Sequence, residues 1–234
     1  MNDSIGEYLV SARSFAEYAA FFDLGPDDLR GSVLDCPGGG ASFTATAARR
    51  GADAMAADPA YADPPAEVAA RVQAELERGS AWVTARTSRY EWGFHRDPET
   101  LTRGRAESAR LFAADITAHP ERYRAAALPN LPFADEAFDL VLSSHFLFTY
   151  ADRLDRDFHL AALRELRRVA RGQVRVFPLV DQAGGRLDGL VDDLVRTVAA
   201  DGVPAELRRV AYEFQRGADT MLVLHPRVQG VPWP

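Results

Sequence analysis

Short apolar runs separated by segments of helical periodicity predict that this chain is an α/β protein. The run Leu140–Leu142 is apolar without alternation, as expected for a central strand that is buried on both faces. The runs predicted to be strands are Ser32–Leu34, Ala52–Ala57, Arg124–Leu128, Phe138–Phe148 and Gln173–Phe177, followed by a hairpin of Glu206–Phe214 and Thr220–Leu224. Strands that alternate with helices favour a mostly parallel sheet covered by helices on both faces.

The segments between these strands predict the helices and one insertion. The predicted helices are Ser4–Phe22, Ala41–Arg50, Pro64–Arg78, Pro98–His119, Phe158–Arg171 and Leu187–Ala200. Ser14 and Glu17 have the spacing of a capping box, and Gly79 is expected to end the third helix.

The segment of residues 62–124 is far longer than the usual crossover between adjacent strands. We therefore expect a single domain over residues 1–234 with a helical insertion at about 62–124. The insertion is interpreted as a lid over a substrate pocket. The alternative is a stabilising or dimerising appendage, so a homodimer is left open.

The main indication of a ligand-binding site is a glycine-rich loop with two acidic residues near it. Asp35 ends the first predicted strand, Gly38 to Gly40 follow it, and Asp58 ends the second strand. In a βαβ unit, the loop and the second acid lie at the carboxyl edge of the sheet, where open α/β sheets bind ligands. Because a carboxylate at Asp58 suits both hydroxyls of a ribose, we expect a nucleoside ligand.

Two common nucleotide motifs do not fit this loop. The frame that begins at Gly38 has Phe43 where the dinucleotide fingerprint has its last glycine. No Gly-Lys-Ser/Thr sequence follows the loop, since the chain contains no lysine. The loop therefore disfavours NAD, FAD and P-loop phosphate binding.

Composition narrows the class of protein further. The 234 residues carry a net charge of −7, which argues against general nucleic-acid binding because that needs a basic surface. Without a long apolar run or a signal-peptide pattern, the chain is expected to be cytoplasmic and to have no membrane partner. One cysteine, Cys36, and five scattered histidines offer no metal-ligand spacing, so no metal is expected.

Two stretches resemble class I S-adenosylmethionine (SAM) dependent methyltransferases, in particular small bacterial methyltransferase-like proteins. DCPGGGASF, which begins at Asp35, is similar to the first motif of that family, and LPFADEAFDLVLSSHFLF is similar to its loop and fourth strand. The terminal hairpin resembles the antiparallel pair that completes the seven-stranded sheet of the family. The resemblance implies a Rossmann-like doubly wound sheet, SAM as cofactor, and methyl transfer to a small-molecule acceptor by direct displacement.

The chain departs from the family pattern at three positions. Pro37 and Ala41 stand where the family has two of its three glycines, and Ala127 stands where it commonly has an acid that binds adenine. Two alternatives to methyl transfer therefore stay open. The protein could transfer the aminocarboxypropyl group of SAM or cyclise SAM, or it could bind SAM or a related nucleoside without catalysis.

The expected site residues form three groups. His145 is the candidate for chemistry because a neutral imidazole accepts a proton near neutral pH; the alternative is a hydrogen bond to the adjacent loop. Tyr150 would orient the nucleophile or cap the pocket. The cofactor-binding residues implied by the resemblance are Asp35, Cys36, Pro37, Gly38, Gly39, Gly40, Ala41, Ser42, Asp58, Pro59, Leu128, Ser143 and Ser144. The expected acceptor contacts are Trp92, Phe148, Gln215 and Arg216.

Overall fold

The central feature of the fold is a seven-stranded mixed sheet. A computed structural model describes residues 8–228 of the chain, and within that range the strand order is β3-β2-β1-β4-β5-β7-β6. The strands are β1 Ser32–Asp35, β2 Asp53–Ala57, β3 Tyr123–Arg124, β4 Phe138–Ser144, β5 Ala170–Phe177, β6 Ala205–Arg209 and β7 Thr220–Leu224. β1 to β5 pair in parallel, whereas β7 is antiparallel to both β5 and β6. The predicted sheet with an antiparallel C-terminal hairpin is confirmed.

Helices cover both faces of this sheet. They are α1 Phe15–Phe21, α2 Phe43–Arg49, α3 Pro65–Thr84, α4 Pro98–Ala118, α5 Arg156–Val169 and α6 Asp188–Ala200. On one face, Leu34 of β1 belongs to a buried cluster with Leu163 of α5 and Leu194 of α6. On the other face, Val33 clusters with Phe43 of α2. Because successive strand residues point to opposite faces, this pattern is that of the predicted doubly wound sheet.

The N-terminal helix is shorter than the sequence predicts. α1 begins at the expected capping box, in which the Glu17 backbone N–H donates to Ser14 Oγ and the Ser14 N–H donates to the Glu17 carboxylate. Residues 8–14 are not helical, and residues 4–7 of the predicted helix lie outside the described range. The predicted helical segment Ser4–Phe22 is therefore wrong over 8–14, where the backbone bonds to the glycine-rich loop, whereas a helix does start at the expected capping box.

Two further boundaries differ from the sequence prediction. α3 continues through Gly79 to Thr84 because its buried residues Val72 and Val83 lie on either side of the glycine and hold the helix in place. A helical glycine costs only about 1 kcal/mol, which such packing outweighs. The third strand ends at Arg124 instead of Leu128, because the chain turns there and Asn130 N–H donates to the Ala127 carbonyl.

The terminal hairpin is also shorter than predicted. β6 ends at Arg209, and residues 210–219 form a long connection to β7. Within this connection Tyr212 and Phe214 are buried against the sheet. The connection therefore brings aromatic side chains to the carboxyl edge of the sheet.

Residues 62–124 contain α3 and α4, which pack against each other and lie between β2 and β3 in sequence. Phe112 of α4 and Val72 of α3 share a buried cluster with Ala56 of β2, so this segment is attached to the edge of the sheet. Within residues 8–228 no helix has the length and apolar composition needed to cross a membrane.

Candidate functional site

A cavity of about 440 Å³ opens at the carboxyl edge of β1, β2 and β4. This volume lies in the range of small-molecule sites, which is roughly 300–1,000 Å³. The expected site residues that line it are Cys36, Pro37, Gly38, Gly39, Asp58, Pro59, Leu128, Ser144, His145 and Tyr150. The structure therefore gathers most of the expected cofactor residues, and both expected catalytic residues, around one space.

Asp58 lies directly after β2 with its carboxylate in this cavity. One carboxylate oxygen, Oδ1, accepts a hydrogen bond from the Ala60 N–H at 2.9 Å, and Oδ2 accepts one from the Gly39 N–H at 3.0 Å. Burial raises the pKa of the carboxyl, while these two hydrogen bonds act in the opposite direction. Because an ionised carboxylate has about four lone-pair sites, each oxygen can accept a further hydroxyl donor.

The glycine-rich loop is shaped mainly by contacts within the protein. A Cβ on Gly40 would lie 2.6 Å from the methyl groups of Val72, and one on Gly38 would lie 2.8 Å from Ala56 Cβ. The absence of a side chain therefore lets the loop pack closely against α3 and β2. Gly40, Ala41 and Ser42 are buried and do not line the cavity.

The non-helical N-terminal segment, residues 8–14, crosses the glycine-rich loop. The Gly40 N–H donates to the Ser11 carbonyl at 3.2 Å, and the Ser42 N–H donates to the Arg13 carbonyl at 2.9 Å. Residues 8–11 line the large cavity. The segment is thus a wall of the site, formed by non-helical chain where the sequence predicts a helix.

Asp35 is buried in the protein interior, where it bonds to Tyr18. Its carboxyl is buried, does not line the cavity, and accepts a hydrogen bond from the Tyr18 hydroxyl at 3.1 Å. Burial raises the pKa of Asp35 well above its ordinary value. The Tyr18 ring lies in the cavity wall, so this pair connects α1 to the end of β1.

His145 follows β4 and occupies a strained backbone conformation with φ of 52°. A positive φ is uncommon for a residue other than glycine and is frequent at functional sites. Its ring nitrogen Nδ1 lies 2.8 Å from Ser144 Oγ. Burial, together with the charges of Arg13 and Arg105, lowers the pKa of His145 well below 6.5. The imidazole is therefore neutral at physiological pH.

A second cavity of about 100 Å³ adjoins the first. Leu9, Ser11, His145 and Tyr150 line both spaces, so the two cavities meet at these residues. The other residues that line the small cavity include five aromatic ones, Trp82, Tyr90, Phe177, Tyr212 and Phe214. Arg13 and Arg105 also line it.

Tyr150 connects the N-terminal segment to the chain that follows β4 and contains His145. Its hydroxyl accepts a hydrogen bond from the Leu9 N–H at 2.8 Å, and its ring lies edge-on to Tyr8, with centroids 4.8 Å apart. Burial raises the pKa of this phenol, so its proton is retained at neutral pH. The hydroxyl can therefore still donate one hydrogen bond towards either cavity.

The four expected acceptor contacts are dispersed. Phe148 is buried in the core beside His159, with ring centroids 5.3 Å apart, and lines neither cavity. Trp92 packs on Phe214 from outside the small cavity, and its indole N–H donates to the Thr87 carbonyl.

Gln215 and Arg216 also bond within the protein. Gln215 lines the small cavity, but its amide donates to the carbonyls of Asp181 and Gln182. The Arg216 guanidinium pairs with Glu91 at 2.9 Å and lines neither cavity. Of the four, only Gln215 reaches a cavity wall.

Ser143 and His159 are buried without reaching the site. Ser143 precedes the cavity residue Ser144 on β4 and is itself 1% exposed. The ring nitrogens of His159 lie 2.7 Å from the Asp155 carbonyl and 3.0 Å from the Leu147 carbonyl. These two contacts account for a core histidine, which agrees with its having no expected role.

Arg13 and Arg105 are site residues that sequence reasoning missed. Arg105 lies on the buried face of α4 between Leu101 and Phe112. An arginine within an otherwise apolar helical stripe was the available signal. Arg13 lies in the segment that was assigned to a helix, so its proximity to α4 could not be inferred.

Comparison with known proteins gives one family match and several distant relatives. The family described as "Methyltransferase domain" matches residues 78–177. An uncharacterized protein of Methanocaldococcus jannaschii is 23% identical over 222 residues, which are 94% of this chain and 97% of that protein.

Two solved structures are more distant. The 1,6-didemethyltoxoflavin-N1-methyltransferase of Burkholderia thailandensis, with S-adenosylhomocysteine bound, is 16% identical, with a TM-score of 0.48 over 91% of this chain and 77% of that chain. Magnesium protoporphyrin IX methyltransferase of Synechocystis, with SAM bound, is 11% identical, with a TM-score of 0.43 over 84% of this chain and 69% of that chain. Similarity at this level carries no information about the acceptor of this chain.

The methyltransferase match includes β4 and β5, and the sheet inserts its last strand antiparallel between β5 and β6. Both findings agree with the resemblance of the sequence to class I SAM-dependent methyltransferases. Its archaeal relative is uncharacterized. The particular reaction must therefore be argued from the residues of this chain.

Proposed function

We propose that this protein transfers a methyl group from SAM to a small-molecule acceptor by direct displacement. The observation that supports the proposal is the pair of adjoining cavities that meet at His145 and Tyr150. A cofactor in the large cavity and an acceptor in the small one would face each other at this junction. When bound, SAM supplies a methyl group on a sulfonium, which is already activated for transfer.

The large cavity has the groups that a nucleoside cofactor needs. Asp58 would accept hydrogen bonds from the ribose hydroxyls, using the lone pairs that Gly39 and Ala60 leave available. Leu128 and Phe146 offer apolar surface for the adenine, and the loop at Gly38 would approach the amino-acid end. The family's adenine-binding acid is replaced by Ala127, so packing takes a larger share of adenine recognition.

The residues of the chain align the reactants and exclude water, which are the main requirements of a displacement reaction. The N-terminal segment closes one side of both cavities through Leu9 and Ser11. The neutral His145 ring can accept a proton from the attacking atom where the acceptor must lose one. The Tyr150 hydroxyl would orient that atom.

The cellular context is part of the same proposal. A net charge of −7 favours a small acceptor over a nucleic acid. We propose a cytoplasmic location for the protein. We also propose that residues 62–124 act as a lid, because Gly79, Trp82 and Val83 of α3 contribute to the wall of the small cavity.

Calorimetric titration with S-adenosylhomocysteine tests the cofactor assignment. Asp58→Asn is expected to weaken binding by about 10- to 100-fold, because hydrogen bonds to charged groups contribute about 1.5–3 kcal/mol and about 1.4 kcal/mol is a factor of ten. Asp53→Asn is the matched control, since Asp53 is exposed at the opposite end of β2. Equal affinities for the two variants would refute the assignment of Asp58 to the ribose.

The reaction type is tested by the product formed from SAM. Methyl transfer releases S-adenosylhomocysteine, whereas aminocarboxypropyl transfer or cyclisation releases methylthioadenosine. Mass spectrometry of SAM incubated with the protein and candidate acceptors distinguishes them. Methylthioadenosine as the enzymatic product would refute methyl transfer, and cofactor binding without any product across a broad acceptor panel would favour a non-catalytic binder.

A further inference from the structure

The small cavity contains two arginines that share one carboxylate. Arg13 Nη1 and Arg105 Nη2 each lie 3.5 Å from Glu17 Oε1. The three side chains are 12%, 11% and 2% exposed, respectively, so water screens them poorly. Among the described residues that line the cavity, none is acidic.

The protonation states leave this cluster with a positive charge. Burial raises the pKa of Glu17, but Arg105 and Arg13 outweigh it and hold the pKa below its ordinary value. His95 Nε2 lies 3.5 Å from the same carboxylate oxygen, and burial lowers the pKa of His95 to about 4. At neutral pH two cations therefore face one anion, and His95 is uncharged.

Both guanidinium groups have buried donors that lack a hydrogen-bond partner within the described part of the chain. The atoms are Nε and Nη1 of Arg13 and Nε and Nη2 of Arg105. Their contacts with Glu17 at 3.5 Å are ion pairs and too long for strong hydrogen bonds. Because a charged donor left unsatisfied in a protein interior is costly, the two guanidinium groups would gain from an anion bound in the cavity that Arg13 and Arg105 line.

The two arginines are attached to fixed parts of the fold. The Arg13 carbonyl accepts hydrogen bonds from the Ser42 N–H at 2.9 Å and from Ser108 Oγ at 2.6 Å. Ser108 lies three residues after Arg105 on α4. The N-terminal segment, the glycine-rich loop and α4 are thus joined at the backbone of Arg13, about one helical turn of α4 from Arg105.

The remaining wall of the small cavity suits a flat apolar group. Tyr90 and Phe214 stack with centroids 4.5 Å apart, and Trp82 and Tyr212 line the same space. The cavity volume of about 100 Å³ is about two-thirds of the roughly 150 Å³ of an apolar protein cavity that binds benzene. The space therefore fits no more than one ring.

Building on the proposed function, we propose that the methyl acceptor is a small aromatic carboxylic acid. Its carboxylate binds Arg13 and Arg105, its ring lies among the aromatic residues of the small cavity, and its nucleophilic atom faces His145 at the junction with the large cavity. The inserted helix α4 then serves recognition of the acceptor through Arg105.

Titration of the wild-type protein saturated with S-adenosylhomocysteine tests this inference without a variant. The probes are benzoate and 4-hydroxybenzoate, each compared with its neutral amide, and inorganic phosphate as a plain anion. We expect at least one carboxylate to bind about tenfold or more tightly than its amide, since charged hydrogen bonds are lost in the amide. Amides that bind as tightly as the acids, or phosphate binding in place of the carboxylates, would overturn the inference.

Arg105→Gln is expected to abolish the preference for the acid and to leave the affinity for S-adenosylhomocysteine unchanged. Arg103→Gln is the matched control, because Arg103 lies on the same helix, is 67% exposed and pairs with Glu99. Circular dichroism and thermal melting verify that each variant is folded. A preference for benzoate that survives in Arg105→Gln would contradict the assigned role.

One competing assignment is that the arginines bind the amino-acid carboxylate of the cofactor. In that case Arg105→Gln would weaken binding of S-adenosylhomocysteine but not of methylthioadenosine, which lacks that carboxylate, and the inference would be overturned. If the wild-type protein bound no S-adenosylhomocysteine, the proposed function itself would fail. Cofactor binding without discrimination between acid and amide would refute only the acceptor class.

Discussion

Replacing Glu17 by glutamine would leave two buried guanidinium groups without a compensating anion. Glutamine keeps an oxygen that can accept the Ser14 N–H hydrogen bond, so the substitution changes mainly the charge. Removing one partner of a buried ion pair typically costs about 3–5 kcal/mol. At roughly 2–4 °C per kcal/mol for a chain of this size, the melting temperature should fall by about 6–20 °C.

Urea unfolding at pH 7, followed by tryptophan fluorescence, measures this change in the free energy of unfolding. Ser14→Ala is the control for the capping box, and it should cost only about 1 kcal/mol. In the double variant Glu17→Gln/Arg105→Gln one of the two uncompensated charges is removed, so part of the lost stability should return. The reasoning would be refuted if Glu17→Gln cost no more than Ser14→Ala, or if the double variant were as unstable as the sum of the single variants.

Three further predictions follow from other contacts. His95 has a pKa of about 4 in the folded protein against about 6.5 unfolded, so the stability it contributes should be fully present above pH 6.5 and be lost as the pH drops from 6.5 to 4. His95→Phe should therefore reduce the pH dependence of the free energy of urea unfolding over that range. An unchanged pH dependence in the variant would exclude His95 as its cause. Because the pKa of His145 is well below 6.5, its ring resonances in NMR, assigned with His145→Asn, should not titrate between pH 8 and about 6.5; a midpoint inside that range would disprove a neutral imidazole. Gly40→Ala should destabilise the protein by about 1–3 kcal/mol in thermal or urea unfolding, because the new Cβ would lie 2.6 Å from the Val72 side chain. The control is Gly104→Ala, on an exposed part of helix α4 with open space around it, which should be neutral or stabilising by up to about 1 kcal/mol. Equal effects of the two substitutions would show that the glycine-rich loop is not tightly packed.

The sheet and the position of Asp58 could be predicted from the sequence because their signals are local. An apolar run followed by an acid specifies a buried strand and its carboxyl end within a few residues, as at Val33 and Asp35. The cavity around Asp58 follows from the topology of parallel strands, which gathers their carboxyl ends at one edge. That part of the site needs no knowledge of long-range packing.

The small cavity could not be predicted in the same way, because its residues meet only in the tertiary structure. Arg13 precedes α1 and Arg105 belongs to α4, and neither segment shows that the other is its neighbour. Trp92 was favoured as an aromatic residue in an irregular stretch, yet the chain directs Tyr90 to the cavity and Trp92 to its outer side. Within a short irregular stretch, the sequence does not fix which aromatic side chain points inward.

The long connection between β6 and β7 means that the two adjoining cavities are built in part by different segments of the chain. Of the two adjoining cavities, residues of this connection line only the small one, whereas the large one is built by the first half of the sheet and the turn after β4. Under the proposed function, replacements at Tyr212, Phe214 or Ala218 would therefore change which compound is modified without changing the methyl donor. Related chains could diversify their chemistry by exchanging this one stretch.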